Sequence, residues 1–282
     1  MVETRLSRVL LRLGAGVTLA FIYLPLILVA VYAFNEDITQ RWPIDDFSTK
    51  WFSEAYHDPA VRDALLLSVQ AALGATALAI VLGTLLSLAM ARFAFFGRET
   101  ITLLVILPIA LPGIVTGLAL QTTYSTVGIP YGLTTIIIGH ATFCIVVVFN
   151  NAVARLRRLH GNLEEASKDL GGDSWQTFRY VTFPQLRTAL LAGALLAFAL
   201  SWDEVVVTIF TSGAEQTLPI WIFANLFRPI EQPIVNVVAL FVIAVSIIPV
   251  YLATRIAGAE GTGLTRERPR REDVAASVET AP

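Results

Sequence analysis

The sequence predicts an all-α membrane protein: six transmembrane helices carrying a two-helix elbow on the cytoplasmic side. Three observations carry that prediction. Of 282 residues, 55% are hydrophobic and 15% charged, against roughly 45–50% and about 25% in soluble domains, and the apolar excess falls in blocks. Six blocks approach the roughly 20 apolar residues that a helix needs to cross a bilayer: Leu13–Phe34, Ala64–Ala91, Ile101–Thr123, Leu133–Asn151, Thr188–Phe210 and Ile234–Arg255. The basic residues are also lopsided. Of 20 Lys and Arg, the loops on one side hold only Arg41, Lys50, Arg62 and Arg228. Basic loops stay in the cytoplasm, so both termini, the Arg92–Arg98 turn and the Arg155–Arg187 loop are expected there. A net charge of -2 gives no reason to expect a nucleic-acid partner. The single cysteine, Cys144, sits in an apolar run and cannot form an internal disulfide.

Taken in order, residues 1–12 form a short cytoplasmic N-terminus. Arg5, Arg8 and Arg12 before an apolar run imitate a signal peptide, but the run is long enough to span and no small-residue cleavage site follows it. Residues 13–34 are therefore expected to be an uncleaved first helix. The external loop, 35–63, mixes Trp42, Phe47, Trp51, Phe52 and Tyr56 with acidic residues. Ser48 is a candidate cap for a short interfacial helix over Trp51–Tyr56, and Asp58-Pro59 reads as cap and first-turn proline of the next helix. This loop reads either as an aromatic belt at the headgroups or as a docking lip. Residues 64–255 form a core of five further spans. Pro108 and Pro112 are expected to kink or break the third span, because proline removes a backbone bond that neighbouring helices or water must replace. The pair reads as a pathway wall or as a mere bend. Thr211–Pro233 holds Trp221, Phe223 and Phe227 between Pro219 and Pro229, the pattern of a short re-entrant or interfacial helix. The tail, 256–282, has too little apolar surface to order itself and is expected to be disordered in the cytoplasm.

The loop 162–184 is a polar island between two spans. Asn162 is a candidate N-cap, with Glu164 and Glu165 in a first turn where the helix dipole favours carboxylates. Leu163, Ala166 and Leu170 share one face. Gly171-Gly172 ends this helix, Ser174 is expected to cap a second one with Trp175, Phe178 and Val181, and Pro184 ends that helix or bends it into the fifth span.

Within that loop, Glu165-Ala166-Ser167, three residues, Gly171, nine residues and Val181-Thr182-Phe183-Pro184 resemble the coupling-loop signature of ABC importer permeases. That family's pattern is Glu-Ala-Ala, three residues, Gly, nine residues, Ile-x-Leu-Pro. Ser167, Val181 and Phe183 depart from it conservatively and the spacing is intact. The resemblance covers roughly Ala60 to Arg255. It implies the type I ABC importer permease fold, in a bacterial plasma (inner) membrane. It also implies a loop, represented by Glu164, Glu165, Ala166, Ser167, Gly171 and Pro184, that seats in a separate ATP-binding cassette subunit dimer. The chain has no GxxxxGK[ST] phosphate loop. ATP and magnesium are therefore expected on that partner, and no cofactor, metal or catalytic residue on this chain. The further implied partners are a second homologous permease subunit, an extracytoplasmic solute-binding protein and the surrounding membrane lipid.

Charges inside spans mark functional positions. Asp203 and Glu204, in Ser201-Trp202-Asp203-Glu204-Val205, are expected in the outer half of the fifth span. They read as a cation-attracting wall, with Trp202 adding a cation–π surface, or as residues at the outer water boundary. The segment through Thr217-Leu218-Pro219 looks like the spermidine/putrescine subfamily, with Asp203 at its first acidic position and Glu204 at its second. Gly113 stands where polyamine-type relatives often carry an acidic residue. Carriers for iron, phosphonates, thiamine or opines share the scaffold and remain alternatives. Gln121 and Tyr124 are further pathway candidates. His57, His140 and His160 have no metal-ligand spacing. Two rival classes make different demands. An intramembrane enzyme needs a partner for His140 or Asp203, and an ion-driven transporter needs inverted repeats; the sequence shows neither.

Overall fold

The computed structural model describes residues 5–159 and 162–263. Its regular elements are helices; among the described residues the one extended pairing is an isolated bridge between Asn35 and Phe47. In order the helices are α1 (Arg5–Tyr32), α2 (Lys50–His57), α3 (Pro59–Arg92), α4 (Arg98–Ala110), α5 (Gly113–Val127), α6 (Leu133–Leu156), α7 (Asn162–Asp169), α8 (Ser174–Thr177), α9 (Phe183–Trp202), α10 (Val206–Thr211), α11 (Leu218–Asn225) and α12 (Gln232–Gly263). Among the described residues, five helical segments are long and apolar enough to cross a membrane: α1, α3, α6, the run Ser174–Trp202, and Gln232–Ile256 within α12. A sixth crossing is available to α4 and α5 as a pair bent by 104°.

That bend has a local cause. Leu111 is extended, with φ -79° and ψ 146°, because the ring of Pro112 pushes the preceding residue out of the α region. Pro108 lies inside α4 without ending it. Of the two prolines, Pro112 makes the break.

Between α8 and α9 the residues Phe178–Thr182 form a π-helical turn, in which the Phe183 N–H bonds the Phe178 carbonyl. Pro184 follows directly. Proline has no N–H and its ring collides with the carbonyl four residues back, and the wider π turn moves that carbonyl aside. The chain therefore runs unbroken from Ser174 to Trp202. Of the two alternatives for Pro184, the second holds: the second helix of the elbow runs on into the fifth span.

Other expectations are corrected by the same local detail. Thr49, not Ser48, holds the cap position of α2, while the Ser48 hydroxyl accepts from the Lys50 N–H at 3.2 Å. The Asp58 side chain accepts from the Ala60 N–H at 2.8 Å, as its cap role requires. α11 supplies the short helix expected between the last two spans, with Pro219 in its first turn. α12 continues past Arg255 to Gly263, so residues 256–263 are helical; the rest of the expected tail lies outside the described residues.

The chain divides into two compact units. One takes the described residues up to Ala71, Gly117–Ile136 and Asp203–Ser246. Its interior is pinned by few but well-placed bonds. Trp51 Nε1 donates to the Asn35 carbonyl at 2.9 Å, the Leu218 N–H to Ser68 Oγ at 2.8 Å, and Thr135 Oγ1 to the Thr211 carbonyl at 2.7 Å.

The other unit takes Ala72–Thr116, Ile137–Trp202 and the chain from Ile247. Here α6 lies between α3 and α9 at close range. A Cβ placed on Gly83 of α3 sits 3.0 Å from Val148 Cβ, and one on Gly193 of α9 sits 3.2 Å from Val148 Cα. Lipid tails are as apolar as leucine, so helices associate in membranes by close van der Waals contact, which small residues permit. Buried Ala72, Ala75, Ala79, Ala152, Ala192 and Ala197 extend the same surfaces. The replacement Gly193→Leu forces side-chain atoms against the α6 backbone, an overpacking that costs about 1–3 kcal/mol. The expected result is a lower unfolding temperature of the detergent-purified protein by thermal fluorescence, with reduced yield.

Candidate functional site

The loop after α6 begins with α7, whose first turn carries Glu164 and Glu165, where the exposed N–H dipoles favour negative charge. Asn162 is the first helical residue rather than the cap before it. The exit is a Schellman motif: the Gly172 N–H bonds the Ser167 carbonyl and the Gly171 N–H the Lys168 carbonyl, each at 2.9 Å. Gly171 sits at φ +82°, a left-handed conformation that any side chain disfavours. Asp173, not Ser174, then caps α8. Asp173 is extended (ψ 173°), so its carboxylate reaches the Gln176 N–H at 2.8 Å while the Gln176 side chain returns a bond to the Asp173 N–H at 3.1 Å.

The two glutamates point in different directions. Glu165 and Ala166 are exposed, and so are Leu170, Trp175 and Tyr180, at 89%, 68% and 74% of their surface. Glu164 turns inward. Its Oε1 accepts from Arg92 Nη2 at 2.6 Å and from Thr182 Oγ1 at 2.6 Å, and Arg92 Nη2 also donates to Thr182 Oγ1 at 2.9 Å. Arg92 is the last residue of α3 and Thr182 the last of the π turn. Ser167 and Thr177 share a second bond, 2.9 Å long, between α7 and α8. Beside them Arg155 Nε donates to the Gln185 carbonyl at 2.9 Å. A cavity of about 230 Å³ remains under α7, lined by Leu156, Leu159, Leu163, Glu164, Thr182 and Gln185 among others. Burial alone raises the Glu164 pKa; the hydrogen bonds from Thr182 and Arg92, then the charges of Arg92 and Lys168, outweigh it and hold the carboxyl below the ordinary glutamate value.

The pathway candidates are placed differently from expectation. α9 ends at Trp202, and Asp203–Val205 form a non-helical break before α10. Asp203 and Glu204 therefore lie beyond the end of the fifth span, not on a continuous helix within it. Glu204 is engaged by the backbone: its Oε1 accepts from the Val207 N–H at 2.9 Å and its carbonyl accepts from Thr208 Oγ1 at 2.7 Å. Asp203 is exposed and forms no ion pair among the described residues. Trp202 is buried and stacks on Phe198, with centroids 6.0 Å apart, so its face is not open as a cation surface. On α5, the Gln121 carbonyl accepts from the Tyr131 hydroxyl at 3.1 Å, and Tyr124, buried, meets Tyr131 edge-on and donates to the Thr135 carbonyl at 3.3 Å. Tyr131 thus links Gln121 and Tyr124. No hydrogen bond joins either to Asp203 or Glu204 among the described residues. His140 is buried against Ser201 Oγ at 2.7 Å and His57 bonds the Ser53 carbonyl; His160 lies outside the described residues. No metal-binding group of His, Cys, Asp and Glu occurs among the described residues.

Two members of the site escaped sequence reasoning. Arg92 reads as one more positive-inside residue and Thr182 as the variable position of the Val-Thr-Phe-Pro motif. No local pattern pairs them with Glu164.

The family described as the binding-protein-dependent transport system inner membrane component matches residues 79–258. The chain belongs to that family. The permease is 32% identical over 237 residues to the putrescine transport system permease protein PotI of Escherichia coli (strain K12), covering 81% of this chain and 84% of that protein. It is 31% identical over 243 residues to the spermidine/putrescine transport system permease protein PotC of Haemophilus influenzae, covering 85% and 93%. Among solved structures it is similar to a bacterial ABC transporter involved in the import of the acidic polysaccharide alginate, with a TM-score of 0.65, 16% identity and coverage of 92% of this chain and 99% of that one. It is also similar to a bacterial alginate ABC transporter in complex with an alginate pentasaccharide-bound periplasmic protein, with a TM-score of 0.65, 14% identity and coverage of 89% of this chain and 93% of that one. The fold is that of an ABC importer permease, and the chain is a multi-pass inner-membrane transport component.

The lowered Glu164 pKa sets a pH dependence. A carboxyl whose folded pKa lies below its unfolded value stabilises the fold fully above the unfolded pKa and loses that contribution as pH falls through the folded one. The wild-type permease is expected to lose melting temperature on the acid side more steeply than Glu164→Gln, by the small margin that a water-contacting pair contributes, as read from thermal unfolding in detergent across the carboxylate range. Equal slopes remove the assignment. Independently, Gly171→Ala places a side chain at positive φ, at a strain of about 1–2 kcal/mol, and is expected to raise hydrogen exchange in α7.

Proposed function

We propose that this permease carries polyamine-like organic cations inward, driven by ATP hydrolysed on a separate ATP-binding subunit that seats the outward face of α7. The single observation behind the drive is that face: Glu165 and Ala166 stand exposed beside Leu170 and Trp175, on a polar loop that leaves α7 through a left-handed glycine. Large apolar side chains left open on a polar segment mark a surface that meets another protein. The bias of basic residues supports placing this face, and both termini, in the cytoplasm. The chain carries no phosphate loop of its own, which supports a separate ATP-binding partner. Delivery by an extracytoplasmic binding protein is supported by the family description and by the periplasmic protein in complex with the alginate transporter; pairing with a second permease subunit is part of the same proposal.

The cation reading is supported by the names of the relatives above 30% identity and by Asp203, an exposed carboxylate at the end of α9. Glu204 serves the backbone and Trp202 is covered, so Asp203 is the acidic candidate that stays available to an incoming cation.

Two measurements test this. Detergent-extracted permease is expected to bring down an ATP-binding subunit, and Glu165→Arg to abolish that capture; capture that survives the charge reversal removes the seating surface. Asp203→Asn is expected to raise the KM for putrescine or spermidine uptake about tenfold, in line with one lost charge contact of about 1–2 kcal/mol. Unchanged kinetics remove Asp203 from the pathway.

A further inference from the structure

Adjacent residues on a helix point about 100° apart, and in α7 that angle separates two tasks. Glu165 faces out; Glu164 joins a closed ring with Arg92 and Thr182. The Thr182 hydroxyl, in a residue 1% exposed, donates a hydrogen bond to Glu164 and accepts one from Arg92, so each of the three groups bonds both others. The ring ties together the last residue of α3, the first turn of α7 and the turn that leads into α9. On its other side α7 is attached by Ser167–Thr177 and by Gly171-Gly172, an exit with no side chains to stiffen it.

We propose that Arg92, Glu164 and Thr182 are positioning residues that form a strut, passing movement of α7 into α3 and α9 together instead of letting it dissipate at the glycine exit. The proposal rests on the reading that α7 engages an ATP-binding subunit. Energetics favour a geometric role over a stabilising one. The Arg92 and Glu164 side chains keep 33% and 29% of their surface, and ion pairs in contact with water contribute little to stability. Charge-assisted bonds of 2.6 Å nonetheless hold orientation closely. Loss of the strut therefore affects the link between hydrolysis and transport more than folding.

The test uses the complete importer, permease with its ATP-binding subunits, reconstituted in liposomes with putrescine and the cognate binding protein. The readout is putrescine moved per ATP hydrolysed, with co-purification of the ATP-binding subunit scored in parallel. Glu164→Gln and Arg92→Met are expected to co-purify with that subunit yet lower the ratio about tenfold, the scale on which coupling residues act. Thr182→Val, which keeps the ion pair, lowers it less, and Thr182→Ser restores it. The exchanged pair Arg92→Glu with Glu164→Arg recovers more of the ratio than either single reversal. Wild-type ratios in Glu164→Gln and Arg92→Met overturn the strut while leaving the seating surface intact. Failure of the wild-type chain to hold an ATP-binding subunit overturns the engagement reading and the strut with it. If a single reversal does not fold, the comparison of Thr182→Val with Thr182→Ser decides alone: equal ratios overturn the strut.

Discussion

A peptide group that meets hydrocarbon without a partner costs several kcal/mol, and this constraint shapes the permease from end to end. It makes every long apolar stretch a helix, and it governs where a helix can stop. At Leu111–Pro112 the chain breaks, and the Pro112 carbonyl at once accepts from the Val115 and Thr116 N–H groups. At Asp203–Val205 it breaks again, and the Glu204 carboxylate and the Thr208 hydroxyl take over bonds that the helix relinquishes. A charged side chain that reads as a cation wall in sequence is thus partly a repair of the backbone. At Phe178–Thr182 the chain avoids a break by widening its turn ahead of Pro184, and the elbow and the fifth span become one continuous rod.

Inside the second unit, packing follows from what lipid cannot do. Water drives apolar surfaces together in soluble domains, but a leucine gains nothing by leaving lipid for protein. Association of α3, α6 and α9 depends instead on backbone proximity at Gly83 and Gly193 and on a few interior polar bonds. Cys144 Sγ donates to the Ala197 carbonyl at 3.3 Å, and His140 meets Ser201. The lone cysteine and the intramembrane histidine, both conspicuous in the sequence, belong to this interior of α6 and α9.

Where the chain leaves the membrane the rules change. Water screens the charges at the foot of α3, so Arg92 and Glu164 add little to stability, yet their bonds fix the direction in which α7 leaves the bundle. The glycine exit permits α7 to turn, and the ring with Thr182 limits how far. Holding one glutamate inward leaves its neighbour free for a partner, and the exposed Leu170 and Trp175 surround that free position with apolar surface.

The sequence by itself determined the helical class, the apolar spans, the interruption near Pro112, the glycine exit of α7 and the family resemblance. Each of these depends on residues close together in the chain: apolar run length, the steric demands of proline and glycine, and the spacing of one loop. Only the tertiary structure decided which of two prolines breaks the third span, that Asp173 rather than Ser174 caps α8, that Pro184 is absorbed in a π turn, and that Glu204 bonds its own backbone. It alone paired Arg92 with Glu164 and Thr182. Contacts between groups separated by 72 and 90 residues leave no periodic trace in a sequence, because nothing local requires a basic residue at the end of one helix to match an acid at the start of another until packing brings them within 3 Å.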